Sequence, residues 1–240
     1  MRKRRYSINK TDGPDMLKIV LATHNPHKVS EIRGILHDMT VEMLSLDNFP
    51  EVGEIEEDGL TLEENARKKA QEVYKLTGIT AMADDTGLEV DYLNGAPGVF
   101  SARYAGGVGM TKTNIGTTEE ENNSRLTLIQ PDYEANNSKL LSQLDGVAWE
   151  QRGATFRCII SIVGPQIDKL VEGKVRGKIT FKPRGWNGFG YDPIFLPDGF
   201  DLTYAEMSPD QKNVMSHRAI ALQKVRAIIS ELVLQSSSRE

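Results

Sequence analysis

The chain has 240 residues, 39% hydrophobic and 26% charged, which excludes wholesale disorder, a collagen-like fibre and an array of several domains. Its formal net charge is −5. The first ten residues hold five bases and no acid, so the other 230 carry −10, a balance that does not support a broad nucleic-acid-binding surface.

No apolar run approaches the roughly 20 residues of a membrane-spanning helix, so no membrane partner is expected. The single cysteine, Cys158, cannot form an internal disulfide or a cysteine-based zinc site, and it suits a cytoplasmic chain. Residues 1–15 read as a basic, disordered tail. No apolar stretch follows MRKRRYSINK, so it does not read as a secretory signal; a tag-like extension and a localisation signal are the other readings.

Leu17 to Ala22 is a short apolar run that predicts a buried strand. The polar turn Thr23 to Lys28 (THNPHK) follows. A helix begins at Pro26 or His27, with Val29, Ile32, Ile35 and Leu36 on one apolar face. Val41 to Leu46 predicts a second strand, and Pro50 to Gly59 an acidic loop. Thr61 opens a helix with a T-x-x-E capping box completed by Glu64. Gly78 is its natural stop, and Glu64 and Lys68 are spaced to pair across one turn.

Ile79 to Asp84 and Leu88 to Asp91 predict two strands, with Asp84-Asp85-Thr86-Gly87 as the turn between them. Asn94 to Gly107 is a glycine-rich loop holding Arg103. Residues 108–134 are polar with little periodicity and read as a surface insertion; a helical pattern resumes from Asn137 to Leu144. Thr155 to Val163 and Leu170 to Ile179 predict two long strands, with Cys158 a core thiol in the first. Phe181 to Pro193 is a glycine-rich aromatic loop. Ser208 and Pro209 cap one long terminal helix that runs to about Leu234. Residues 16–235 therefore read as a single three-layer α/β domain with a mixed sheet.

The chain has no P-loop, no dinucleotide-binding fingerprint after a strand, no H-E-x-x-H and no G-x-S-x-G. Five polar clusters remain. Thr23, Asn25 and Lys28 precede a helix whose free N–H groups suit a phosphate, though ordinary turns use the same residues. Glu54, Glu56, Glu57 and Asp58 supply oxygens of the kind magnesium takes, or form a solvated acidic loop. Adjacent side chains on a strand face opposite ways, so of Asp84 and Asp85 one can face a cleft while the other anchors the turn. Phe189 sits between glycines and can stack on a base, or pack as an aromatic turn. Lys212, Ser216, His217 and Arg218 offer donors to a carbonyl, or a solvated helix face. His24 and His27 read as polar loop residues rather than metal ligands.

The order and wording of these clusters are more specific than any one of them. ATHNPHK, EEDGLTLEENARKKA, ADDTGLEVDYLNGAPGVFSARYAG, NGFGYDPIF and SHRAIAL closely resemble the non-canonical purine nucleoside triphosphate pyrophosphatases, the inosine/xanthosine triphosphate pyrophosphatase family, over about residues 16 to 232. The resemblance implies two α/β lobes around a long, curved mixed β-sheet flanked by helices, with the nucleotide in the cleft between lobes. It also implies a homodimer, dependence on Mg2+, and hydrolysis of ITP, dITP or XTP to the monophosphate and pyrophosphate.

Carried over by position, Thr23, His24, Asn25, Pro26, His27 and Lys28 would bind the triphosphate, supported by Lys69. Glu57 and Asp85 would hold magnesium, and Asp85 would also deprotonate the attacking water. Thr86 would contact substrate. Phe189, Gly190, Tyr191 and Asp192 would wall the base and sugar. Lys212, His217 and Arg218 would read the base, with Ser216 beside them. The segment at 108–134 is longer than the resemblance leads one to expect, and Trp186-Asn187 stands where many relatives are more glycine-rich.

Overall fold

The computed structural model describes residues 16–106 and 131–237. The N-terminal tail, and the part of the polar insertion from 107 to 130, lie outside the described residues.

Seven strands form one open mixed sheet: β1 (Leu17–Leu21), β2 (Val41–Ser45), β3 (Ala81–Val90), β4 (Pro97–Gly98), β5 (Gly153–Gly164), β6 (Ile167–Ile179) and β7 (Phe195–Pro197). Their order is β2-β1-β3-β5-β6-β7, with β4 added beside β3. β1 runs parallel to β2 and β3, and the remaining pairs are antiparallel. Five helices flank it: α1 (Pro26–Ile35), α2 (Leu62–Thr77), α3 (Tyr133–Gln143), α4 (Pro209–Met215) and α5 (His217–Ser237).

β1 is apolar on both faces because both are covered. Ile19 and Leu21 join a core with Ile32 of α1, Leu36 at its C-terminal cap, and Leu222, Val225 and Ile229 of α5. Val20 and Ala22 face the other way, toward Ala70 and Val73 of α2. A further core lies at the far end of β3 and β5, where Leu88, Phe156, Phe195 and Tyr204 meet Leu140 and Leu144.

Local signals at helix ends hold in part. Thr61 Oγ accepts from the Glu64 N–H at 3.1 Å and Gly78 ends α2 in the left-handed region, at φ 72°. The reciprocal half of the box is shifted: the Glu64 carboxylate accepts from Leu60 N–H, not from Thr61. That engagement leaves Lys68 to pair with Asp58, at 2.7 Å, in place of Glu64. α3 begins at Tyr133, four residues before the expected start, because the Asp132 side chain caps it by accepting from Ala135 N–H.

The largest correction concerns Asp84 to Gly87. They form no turn; β3 runs unbroken from Ala81 to Val90, paired with β5 throughout. What changes is the partner on the other edge. β1 pairs only with Ala81 and Met82, and β4 takes over at Leu88 and Glu89. Between these pairings the sheet splits, and the acid pair lies at the split. In open α/β sheets such a change of strand partner leaves a crevice at the strand ends. Gly87 is required there: a Cβ would lie 2.6 Å from the Gly98 carbonyl oxygen.

Candidate active site

The crevice is lined from α1, α2, β3, the loop at 101–103, the start of α3, the 189–192 loop, α4 and α5. Two local features bring the last two helices to it. The long terminal helix predicted from Ser208 is broken at Ser216, whose backbone is extended at ψ 160° and whose hydroxyl accepts from Ala219 N–H. Ser216 therefore starts a second helix, so Lys212 and Arg218 approach the crevice from two helices. Gly173 of β6 lets α5 lie directly on the strand, since a Cβ would stand 2.0 Å from the His217 carbonyl oxygen.

Strand alternation separates the two aspartates. Asp84 shares the α1/α5 face, where its carboxylate meets Lys28 at 3.1 Å and Arg218 at 2.9 Å and accepts from the Thr86 hydroxyl. Burial alone would raise it, but Lys28, Arg218 and Lys69 hold its carboxyl well below the usual carboxylate range. Asp85 faces α2. Lys69 reaches in from α2, donating to Glu57 at 2.5 Å and to the Asp84 carbonyl at 2.8 Å, with Asp85 3.6 Å away. That carbonyl lies on the open edge of β3, so Lys69 takes the place of a missing strand.

One lysine thus serves two carboxylates. Burial opposes ionisation of Glu57, yet Lys69 and Lys28 lower it. Asp85 is raised, first by burial and further by the Glu57 charge, against the pull of Lys69. Among the described residues Asp85 Oδ2 is buried with no hydrogen-bond partner, as is Asp84 Oδ1, but of the two aspartates Asp85 lines the crevice. No group of three or more His, Cys, Asp or Glu capable of enclosing a metal occurs among the described residues. Magnesium does not need one, since it commonly takes one or two carboxylates and completes its shell with phosphate oxygens and water. The orphaned Asp85 oxygen beside Glu57 fits that demand.

At the opposite end Lys212 donates to Asp192 at 2.6 Å and to Glu31 at 2.8 Å, and Arg218 bridges Glu31 and Asp84. Burial opposes ionisation of Glu31 too, and Arg218 and Lys212 overcome it. A guanidinium has five N–H groups and an ammonium three. Arg218 engages four of its own, with Asp84 twice, Glu31 and Thr86, and Lys212 engages two. One N–H of each remains. His217 lies face to face with Phe156, centroids 4.4 Å apart, and its Nδ1 has no partner. Burial, with Arg218 and Lys212 nearby, pushes it well below the usual histidine value, so the ring is neutral.

The expected site residues fall into three groups. Thr23, His24, Asn25, Lys28, Glu57, Lys69, Asp85, Thr86, Phe189, Gly190, Tyr191, Asp192, Lys212, His217 and Arg218 all line the crevice. Asn25 caps α1 by accepting from His27 and Lys28 N–H. Tyr191 donates to the Ser101 carbonyl, and Asp192 accepts from Phe189 N–H, so both brace the loop from within. Pro26 and Ser216 serve as first helical residue and cap, outside the lining, and exposed His27 stacks on Phe189 at 5.2 Å.

Four participants were not singled out as site residues from sequence. Glu31 follows Lys28 by three positions, so it shares its helix face, and that spacing was the available signal. Arg103 sat unassigned in its loop. Among the described residues it is the one lysine or arginine of the lining without a carboxylate ion pair; it donates to the Glu57 carbonyl at 3.1 Å. Phe156 and Tyr133 carried no local signal.

Cys158 is fully buried, and burial pushes its thiol up to about 11, as suits a core residue. No described helix is long and apolar enough to cross a membrane.

A split mixed sheet, with cations and an orphaned carboxylate converging on the split, defines an α/β protein with a crevice whose cations can meet an anionic ligand. The chain belongs to the Ham1 family, whose model matches residues 19–228. It is 46% identical over 217 residues to a dITP/XTP pyrophosphatase of Bacillus licheniformis, covering 90% of this chain and all of that one. A dITP/XTP pyrophosphatase of Bacillus subtilis is 43% identical over 215 residues, 89% of this chain and 98% of that one. Among solved structures, a HAM1 protein from Coxiella burnetii superposes with a TM-score of 0.73 at 36% identity, covering 90% of this chain and 100% of that one.

Proposed function

We infer that this chain is a nucleoside triphosphate pyrophosphatase that hydrolyses non-canonical purine nucleoside triphosphates to the monophosphate and pyrophosphate. The names of its relatives point to dITP and XTP. The observation that carries the chemical reading is the unpartnered, buried Asp85 Oδ2 facing a cation-lined crevice.

Phosphoryl transfer needs positioning and charge neutralisation more than a covalent nucleophile. Lys28, Lys69 and Arg103 would neutralise the triphosphate. Asp85, whose carboxylate burial makes a stronger base, would accept the proton of a water whose oxygen attacks the α-phosphorus. The bond to the bridging oxygen breaks and pyrophosphate leaves. Glu57 and Asp85 would hold Mg2+, which when bound lends positive charge to the phosphate oxygens.

At the far end, the remaining N–H groups of Arg218 and Lys212 would donate to a 6-carbonyl, as in hypoxanthine or xanthine. Adenine presents an amino donor there. An unmet buried donor costs about 1–3 kcal/mol, or roughly tenfold to a hundredfold in affinity. Phe189 and Phe156 would flank the base.

The test is pyrophosphate release from ITP, XTP, GTP and ATP with and without magnesium. Magnesium-dependent release from ITP and XTP, with little from ATP, is the expected result. Release from ATP as fast as from ITP would refute the base reading, and no release from any would refute the reaction. The homodimer and cytoplasmic setting belong to the same reading on family likeness alone. A monomeric mass by light scattering at micromolar concentration would remove the first, and localisation of a tagged chain outside the cytoplasm the second.

A further inference from the structure

Tyr133 opens α3, and it connects the two ends of the crevice. Its hydroxyl accepts from Asn25 Nδ2 at 3.2 Å. Asn25 is the residue that caps α1 beside Lys28, at the phosphate end. The Tyr133 ring meets Phe189 at a centroid distance of 5.9 Å, tilted by 51°, at the base end. In a nucleoside triphosphate the sugar is what joins base to phosphate. A side chain that touches the phosphate loop with one atom and the aromatic wall with its ring lies at sugar level.

Two further observations make Tyr133 a built part of the crevice. First, α3 is fastened on both sides. The Asn136 side chain accepts from Ala105 N–H at 2.7 Å and donates to the Ala102 carbonyl at 3.1 Å, while Asn137 donates to the Gly190 carbonyl at 3.0 Å. The helix is thereby tied to the loop carrying Arg103 and to the loop carrying Phe189. Second, a phenol hydroxyl has one hydrogen to donate and two lone pairs. Tyr133 uses a lone pair on Asn25, and among the described residues no acceptor takes its hydrogen. The ring is half-buried and lines the crevice, so that hydrogen is available to a bound molecule.

We propose that Tyr133 is a sugar-level substrate contact, its hydroxyl donating to an oxygen of the ribose or deoxyribose 5′-phosphate unit while its ring closes the wall between the phosphate loop and Phe189. The proposal rests on the nucleotide reading above. It adds a residue from a helix that no motif in the chain had connected with the site.

Calorimetry with two part-ligands separates this role from its neighbours. Inosine monophosphate contains the sugar and one phosphate; inorganic pyrophosphate contains neither sugar nor base. A single neutral hydrogen bond is worth about three- to tenfold in affinity. Tyr133→Phe is therefore expected to weaken inosine monophosphate by about that factor and to leave pyrophosphate within about twofold of the parent.

Equal weakening of both ligands would mean that Tyr133 acts only by steadying Asn25 and the phosphate loop, and would overturn the proposal. So would unchanged binding of the monophosphate. Tyr133→Trp, which keeps an aromatic wall and an N–H donor, is expected to retain more monophosphate affinity than Tyr133→Leu; equal loss in the two would also count against the contact. Parent turnover of ITP is measured alongside. A parent that hydrolyses ITP while Tyr133→Phe binds both ligands normally removes this proposal alone, whereas a parent with neither ITP turnover nor monophosphate binding removes the nucleotide reading and this proposal with it.

Discussion

The two ends of the crevice are both rich in buried charge, and they use it differently. Around Arg218 and Lys212 the charges are matched: Asp84, Glu31 and Asp192 face three cations, Lys28, Lys212 and Arg218, and among the described residues Lys212 and Arg218 each keep a single N–H. Around Asp85 the charges are mismatched: Glu57 and Asp85 share Lys69, and among the described residues one Asp85 oxygen has no partner and Arg103 has no carboxylate ion pair. A matched network orients donors and rejects the wrong pattern of acceptors. A mismatched one has capacity to bind ions and to take a proton. Buried polar groups left unmatched are costly in a folded protein, and Asp84 Oδ1 and His217 Nδ1 lack partners as well; what sets the Asp85 end apart is two carboxylates lining the crevice with one lysine between them.

The strongest way to break this contrast is Asp85→Asn. General-base catalysis contributes roughly a hundred- to ten-thousandfold, so kcat for ITP should fall by about that factor while KM stays within about threefold. Steady-state kinetics at saturating magnesium decides it, and a variant with parental kcat would end the role. Arg103→Ala comes next. A charge-assisted hydrogen bond is worth about 1.5–3 kcal/mol, so pyrophosphate should inhibit the variant roughly tenfold or more weakly; an unchanged inhibition constant would return Arg103 to a structural part.

Arg218→Lys sharpens the other side. It keeps the charge but not the planar fork that engages Asp84, Glu31 and Thr86 together. The preference for ITP over ATP should narrow by about tenfold, with turnover of ITP less affected than in Asp85→Asn. Competition of ITP and ATP in one reaction reads the ratio directly, and no narrowing would place base selection elsewhere.

The smallest effect concerns His217 and stability. Its folded value lies well below the ordinary 6.5. Below pH 6.5 the unfolded chain therefore binds a proton that the native chain refuses, so His217 costs stability as pH falls from 7 to 5. Asp85 and Asp192, both raised by burial, act in the opposite sense. The readout is thus the difference between parent and His217→Asn. Loss of the ring lowers melting temperature at every pH, but the gap should shrink by about 4 °C or more toward pH 5. A constant gap would mean that the imidazole titrates in the fold as it does in the unfolded chain, and a widening gap that it is charged in the fold.

What could be read from the sequence follows the range over which its cause acts. Thr61, Gly78, Ser208 and Pro209 mark helix ends correctly because a cap is satisfied within a few residues. Of the two long strands, β5 is legible because its apolar run is nearly continuous, and β6 because Val171, Val175 and Ile179 alternate with polar residues. The Ser216 break is a local cap as well, but it was hidden inside a longer helical pattern, which the apolar residues on either side continue without a gap. Lys68 shows the limit of pair spacing: Glu64 is one turn away, yet its carboxylate already serves Leu60 N–H.

The sequence by itself determined the family, the kinds of side chain present for the chemistry, and most element identities, because these depend on residue type and on short-range order. Only the tertiary structure decided that Asp84-Asp85-Thr86-Gly87 is mid-strand. A polar run beside glycine resembles a turn unless something distant satisfies its backbone, and here β5 does so on one edge while Lys69 reaches the other. Tertiary structure also decided that Asp85 and not Asp84 lines the crevice, and that Tyr133 meets Asn25 108 positions away. Those outcomes come from where the sheet splits and how α2, α3 and α5 pack around the split, and no local pattern of residues records them.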